Sequence, residues 1–429
     1  MLKNILKDID NNTEEIVEDL CEMIRLCSSD GKSTDAQTMV SDGLKNLGFE
    51  VECFKGIDER CYKIPDYCDP GFKYDDNAYN VAGVLKGKGD VDSLMLFAHI
   101  DTEADDYFGK FEDPYKAYIE GDKIYGLGSS DDKGGVVMMM EAVKYVKKYV
   151  NDLPYDLTVM SILGKHGGAY GTLTALMKGY TGTNSIYLHP AETGHGFAEI
   201  KNISLGVIDL NIDVKGVDGA MHDDLATGVN SNVVASKIVT WLEELNKINR
   251  ERYTFDFGSF KGEPSYVLNV GTISSNSGYG GIALNTSIKI RVRFYMPLTI
   301  DSVVKEIIGL IDEMCKEEKI DRSLIKITKG NFNASPAIIE NEHPFIKLIE
   351  ENISANTGIN EFIHQYHGGS DIRLPILYGN SNCVGIGPAC VLPKAGSNEM
   401  EWMSKKDFIT GVKILASILY NYQFYKKES

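Results

Sequence analysis

Three short stretches carry side chains that could bind a metal ion: His99 and Asp101 in "AHIDTE", Asp131 and Asp132 in "GSSDDKGG", and His189 in "YLHPAE". Each stretch follows a run of apolar residues or a glycine-rich turn, so each reads as the end of a strand. Ligands at the ends of neighbouring strands can converge, and in open α/β sheets that edge is where sites form. A histidine with a carboxylate two residues on suits a metal ligand whose second ring nitrogen is held by an acceptor. Taken singly, each residue is an ordinary hydrogen-bonded polar group. Together they are more than that.

These side chains need a scaffold, and the first 200 residues supply an α/β alternation. Helical spacing runs over about 3–28 and 34–47, strands over "FEVECFK", "NVAGVLKG" and the apolar "SLMLFAHID", then a helix over "VVMMMEAVKYVKKYV" and strands over "YDLTVMSIL" and "TNSIYLHP". From about residue 204 the order is strand, helix, two strands, helix, strand, which is the ferredoxin-like arrangement. Helical spacing at 344–357 and 405–423 then closes the α/β part. The expected fold is an α/β catalytic domain (1–203 and 328–429) with a mixed, mostly parallel sheet covered by helices, interrupted by an α+β lid domain (204–327). The stretch "SSNSGYGGI" (274–282) reads as a mobile loop.

Composition excludes other classes. The chain has 429 residues and a net charge of −18, which would be repelled by nucleic acid and by an anionic membrane surface. No long apolar run suggests a membrane span, and the N-terminal segment does not read as a signal peptide, so a cytoplasmic protein is expected. Eight scattered cysteines in a chain of this size read as free thiols. Cys61 and Cys68, in "CYKIPDYC", read as a surface loop rather than half a metal site.

In order, "LFAHID", "GLGSSDDKGG", a strand with a glycine turn, "IYLHPAE", an inserted lid and a late "GGSD" resemble the zinc aminoacylase and carboxypeptidase G family. Acetylornithine deacetylase, succinyl-diaminopimelate desuccinylase, dipeptidases and allantoate amidohydrolase belong to it. The resemblance covers nearly the whole chain. It implies His99 as a metal ligand, Asp101 as its orienting residue, Asp131 as the metal-bridging aspartate and His189 as a further ligand. It also implies a catalytic glutamate pair where this chain has Lys165 and His166. A last family histidine falls at Ala395 or Gly396 in "PKAGSNEMEW". One metal position is therefore complete, the other keeps only Asp131 and His166, and one ion per chain is expected; two histidines with one carboxylate suit Zn, Mn or Fe(II).

Lys165 could act as a base only with a strongly lowered pKa; protonated, it suits a substrate carboxylate or an oxyanion. The same resemblance puts His222 of "GAMHDD" in a neighbouring subunit's site, which implies a homodimer through the lid. It gives Arg293 of "IRVRFYMP" and Asn285 of "ALNTS" a substrate carboxylate to hold. His367 of "FIHQYHGGSDIR" could supply what position 395 lacks. The expected activity is metal-dependent hydrolysis of a C–N bond in a small carboxylate-bearing substrate, such as an N-acyl amino acid or dipeptide. The alternatives are a homologue that binds without turnover, or a deaminase or lyase reaction on the same scaffold.

Overall fold

The computed structural model describes residues 1–29, 31–68, 78–165, 168–191, 193–219, 228–277, 282–389 and 392–425, with the backbone alone at 259, 277, 367 and 368. His166, Glu192 and His222 lie outside the described residues, and so does the side chain of His367.

The strands Leu94–His99, Leu157–Ile162 and Asn184–Leu188 are buried along their whole length. Their residues are apolar on both faces, as a sheet covered by helices on both sides requires. They form the centre of a sheet ordered Glu50–Lys55, Tyr79–Leu85, Leu157–Ile162, Leu94–His99, Asn184–Leu188, Asn382–Ile386 and Glu199–Lys215. Leu94–His99 runs parallel to both neighbours, and Asn184–Leu188 parallel to Asn382–Ile386; the Tyr79–Leu85 and Glu50–Lys55 side is antiparallel. The long helices Lys133–Tyr149 and Lys405–Tyr422 pack together over one face, with Val136, Met139, Val143, Val412, Leu415 and Leu419 in the main core.

Glu199–Lys215 is the strand that joins the two parts. Its first ten residues are buried on both faces; towards its end burial alternates. The change follows its neighbours. Early on it pairs with Ile363–Gly368 in parallel, and from Gly206 onward with Ala283–Phe294 and Ile325–Ala334 in antiparallel register. Val267–Ser277 completes the lid sheet, and helices Ser231–Arg252 and Ile300–Glu317 cover one face of it. Ile208, Leu242, Ile288, Val292, Ile307 and Ile311 make a separate core there. The order strand, helix, strand, strand, helix, strand, with the first strand between the third and the fourth, is ferredoxin-like.

Four sequence expectations need correction. The N-terminal helix is two, Leu2–Asn11 and Thr13–Arg25, because Asn12 leaves helical geometry and its side-chain amide donates to the Asp8 carbonyl at 2.7 Å, closing the first helix. Cys61 and Cys68 are buried, the latter with Sγ 3.2 Å from the Asn333 carbonyl, since the segment around them packs inward. Residues 274–277 of the expected loop belong to the strand Val267–Ser277, paired with Ala283–Phe294, and 278–281 lie outside the described residues. The strand expected from 204 begins at Glu199.

Candidate metal centre

His99 is the last residue of its strand and is wholly buried. Its Nδ1 lies 2.9 Å from the Asp101 main-chain carbonyl and 3.6 Å from the Asp101 carboxylate. A carbonyl can only accept, so Nδ1 carries hydrogen and Nε2 turns towards Asp131 Oδ1, 2.8 Å away. Asp101 is fixed in turn by the Gly164 amide, which donates to its carboxylate at 3.0 Å. Gly164 has φ +86° and an added Cβ would meet the Tyr170 ring at 2.2 Å, so glycine is required at the start of this turn.

Asp131 sits on the loop entering helix Lys133–Tyr149, after which the peptide bond to Asp132 is cis. Glu401 shapes this loop. Wholly buried, it accepts from the amides of Gly128 (2.8 Å), Ser130 (2.7 Å) and Asp131 (2.7 Å), and burial pushes its carboxyl up to about 7. Asp132 accepts from the His99 amide at 3.3 Å. Lys133, also buried, donates to the carbonyls of Ile24 and Leu26 at 3.1 and 2.6 Å, and burial brings its ammonium down to about 7.

His189 follows the strand Asn184–Leu188, and its Nε2 is 3.3 Å from the same Asp131 oxygen. Ligand atoms of His99, Asp131 and His189 all lie within 4.8 Å of one another. Burial disfavours charge on all three. For Asp131 the two histidines outweigh it and hold the carboxyl well below its ordinary range. For His99 the neighbouring Asp131 and Asp101 outweigh it and raise the imidazole. For His189 burial is reinforced by the charges of Lys201 and Lys165, so its imidazole lies well below the ordinary value. The residues fit a divalent cation: two ring nitrogens flank one carboxylate oxygen in a buried site, and His99 already has its hydrogen on the far nitrogen.

Lys165 is half-buried beside this trio, and its charge acts on both His189 and Asp132. Arg293 and Asn285 are exposed on the lid strand Ala283–Phe294, Arg293 paired with Val207 and Asn285 hydrogen-bonded to Asn276 at 3.4 Å. No hydrogen bond among the described residues joins either of them to His99, Asp131 or His189. His367 follows Tyr366 on the strand Ile363–Gly368, where its backbone pairs with Ser204. The residues aligned with the family's last histidine, Ala395 and Gly396, are exposed and offer no ligand.

Sequence reasoning missed Glu401, although it lies in the quoted "SNEMEW". It also missed the wholly buried pair of Asp66 and Arg373, 3.2 Å apart. Arg373 donates to the carbonyls of Gly369 and Ser370 at 2.9 and 3.0 Å and to Gly168 at 3.4 Å, while Asp66 accepts from Ser335 and Tyr378. The pair therefore ties the "GGSD" turn, the turn after Lys165 and the return from the lid to one point.

The model of Peptidase family M20/M25/M40 matches residues 95–421, most of the chain and all of the trio. The protein belongs to this family. Among relatives of this M20 chain, N-formyl-4-amino-5-aminomethyl-2-methylpyrimidine deformylase of Bacillus subtilis (strain 168) is 27% identical over 251 residues, covering 55% of this chain and 56% of the relative. Carboxypeptidase G2 of Pseudomonas sp. (strain RS-16) is 28% identical over 198 residues, covering 46% and 42%. The match thus spans about half the length of these curated relatives. A tripeptidase of Staphylococcus aureus subsp. aureus Mu50 shares the fold of this M20 chain, with a TM-score of 0.73 at 16% identity over 96% of this chain and 99% of that one.

Proposed function

We propose that the protein is a metal-dependent hydrolase of an amide-type C–N bond in a small, carboxylate-bearing substrate, with one divalent ion, zinc in the first instance, held by His99, Asp131 and His189. The observation that carries this reading is the convergence of the three ligand atoms within 4.8 Å in a buried site. Family membership and the names of the relatives, a deformylase and a carboxypeptidase, support the bond type. A bound divalent cation supplies Lewis acidity towards a carbonyl and towards water.

The chain's own residues do the rest. The Asp101 carbonyl holds the His99 ring in the tautomer that presents Nε2. Glu401 holds the Asp131 loop through three amides. Lys165, in the place of the family's basic glutamate, stabilises negative charge on the carbonyl oxygen or binds the substrate carboxylate; its charge at His189 and Asp132 supports that role. His166 is a further contact at the metal edge. Residues 204–327 form the lid, on which Arg293 and Asn285 hold the substrate carboxylate. His222 serves the neighbouring subunit of a cytoplasmic homodimer, and His367 stands in for the missing last histidine.

The test is a set of three variants assayed against N-formyl, N-acyl and dipeptide substrates together with metal analysis. His99→Ala and His189→Ala are expected to lose metal and turnover, and Lys165→Ala to keep the metal and lose rate. Equal metal content in all three variants and the wild type would overturn the assignment.

A further inference from the structure

Lys201 is the one lysine of its strand segment that turns into the catalytic core, where it is 2% exposed. It lies opposite Gly385 in the sheet, and a Cβ added at Gly385 would come within 3.1 Å of the Lys201 Cβ and 3.4 Å of its Cδ. The glycine leaves a path for the aliphatic stem. The stem delivers Nζ to 2.9 Å from His189 Nδ1 and into hydrogen-bond contact with the Pro190 carbonyl. Nδ1 itself is 3.2 Å from that carbonyl.

Two hydrogen-bond arrangements compete at this ring. Either Lys201 donates to Nδ1, and the neutral imidazole carries its hydrogen on Nε2, facing Asp131; or Nδ1–H donates to the Pro190 carbonyl, and Nε2 presents its lone pair. A lysine ammonium has donors only, and its contact with Nδ1 is the shorter, so the first arrangement is favoured. At His99 the corresponding contact is a carbonyl, which keeps a hydrogen on Nδ1, away from Asp131. The trio thus contains one histidine preset for coordination and one held out of it.

We propose that Lys201 is a positioning residue that holds His189 with its hydrogen on Nε2, so that a metal ion reaches this ring only by displacing the lysine's hydrogen bond. Lys201 therefore restrains the metal affinity of the site. The inference rests on the metal reading above but has its own readout. Removing the lysine should let Nδ1 turn its hydrogen to Pro190 and leave Nε2 ready.

The experiment compares wild type, Lys201→Met and Lys201→Arg. Nitrogen-15 imidazole spectra of the metal-free proteins report the His189 tautomer, and competition with a chromophoric chelator reports zinc affinity. The expected result is Nε2–H in wild type and Nδ1–H in K201M, with zinc bound about tenfold more tightly by K201M, within the range that outer partners of metal ligands command. The arginine variant, which keeps a donor, should stay close to wild type. Should K201M fail to fold, Gly385→Ala displaces the stem and should shift the tautomer and the affinity the same way. An Nδ1–H ring in the wild type, or unchanged or weaker zinc binding in K201M, would overturn the proposal. Zinc binding by none of the proteins would instead sink the metal reading, and the metal-free spectra alone would then decide whether Lys201 holds the ring.

Discussion

The two histidines of the trio approach the same Asp131 oxygen, yet they are held in different ways. His99 is fixed by main-chain groups: its Nδ1 by the Asp101 carbonyl, Asp101 by the Gly164 amide, and the adjoining Asp131 loop by three amides on Glu401. At His189 the Nδ1 side is shared between the Pro190 carbonyl, 3.2 Å away, and the tip of a long side chain, Lys201, at 2.9 Å. Main-chain partners leave the ring little choice of tautomer; a flexible ammonium can be displaced. The difference suggests that the His99 arm is the rigid part of the site and the His189 arm the adjustable part.

The coarsest way to break this comparison is to remove either ring. H99A and H189A should each abolish stoichiometric metal binding, with a loss of affinity beyond the ~10–100-fold that outer partners cost; elemental analysis after gel filtration reads it. If H189A keeps its metal while H99A does not, the trio is a pair and the adjustable arm is not a ligand.

Glu401→Ala tests the rigid arm next. It leaves three buried amides without their acceptor, and unsatisfied buried groups cost ~1–3 kcal/mol each, so denaturant unfolding should show a loss of about 3 kcal/mol or more. Metal affinity should fall with it. Stability unchanged within error would mean that the loop holding Asp131 is fixed by something else.

Lys165→Ala should leave metal content unchanged and lower kcat about 100-fold, the scale of losing one oxyanion donor. An unchanged kcat with a raised KM would assign Lys165 to the substrate carboxylate instead.

A further test is a pH dependence beneath the rigid arm. Burial depresses the Lys133 ammonium from 10.5 to about 7, so between these values the unfolded chain binds more protons than the folded one, and folding stability should rise with pH over that window and fall away as pH drops towards 7. In Lys133→Met that contribution is absent, and the stability curve should be flatter from 7 to 10.5. Parallel curves for the two proteins would contradict the assignment.

In both arms the ligands were easier to read in the sequence than the groups that hold them. His99 and His189 stand at the ends of strands whose apolar runs announce them, Asp131 follows a glycine-bearing turn, and the inserted β-α-β-β-α-β unit is written in alternating periods. Glu401 was hidden because Glu399 stands two residues before it and nothing local says which carboxylate turns inward; the three amides that decide it are about 270 residues away in the chain. Lys201 was hidden by its type. In "EIKNIS" it reads as a solvated lysine, and only the burial of both faces of the first half of Glu199–Lys215 carries it into the core. Asp66 and Arg373 escaped for the same reason, since their burial depends on segments brought together by the fold and not on any pattern around either residue.

The central claim is that His99, Asp131 and His189 bind a metal ion. Elemental analysis of protein purified without chelator, and again after stripping and reconstitution with zinc, tests it most directly. The account predicts about one equivalent per chain, as three protein ligands at one centre require, falling to background in H99A and H189A. No metal in the purified protein and none taken up on reconstitution would contradict it.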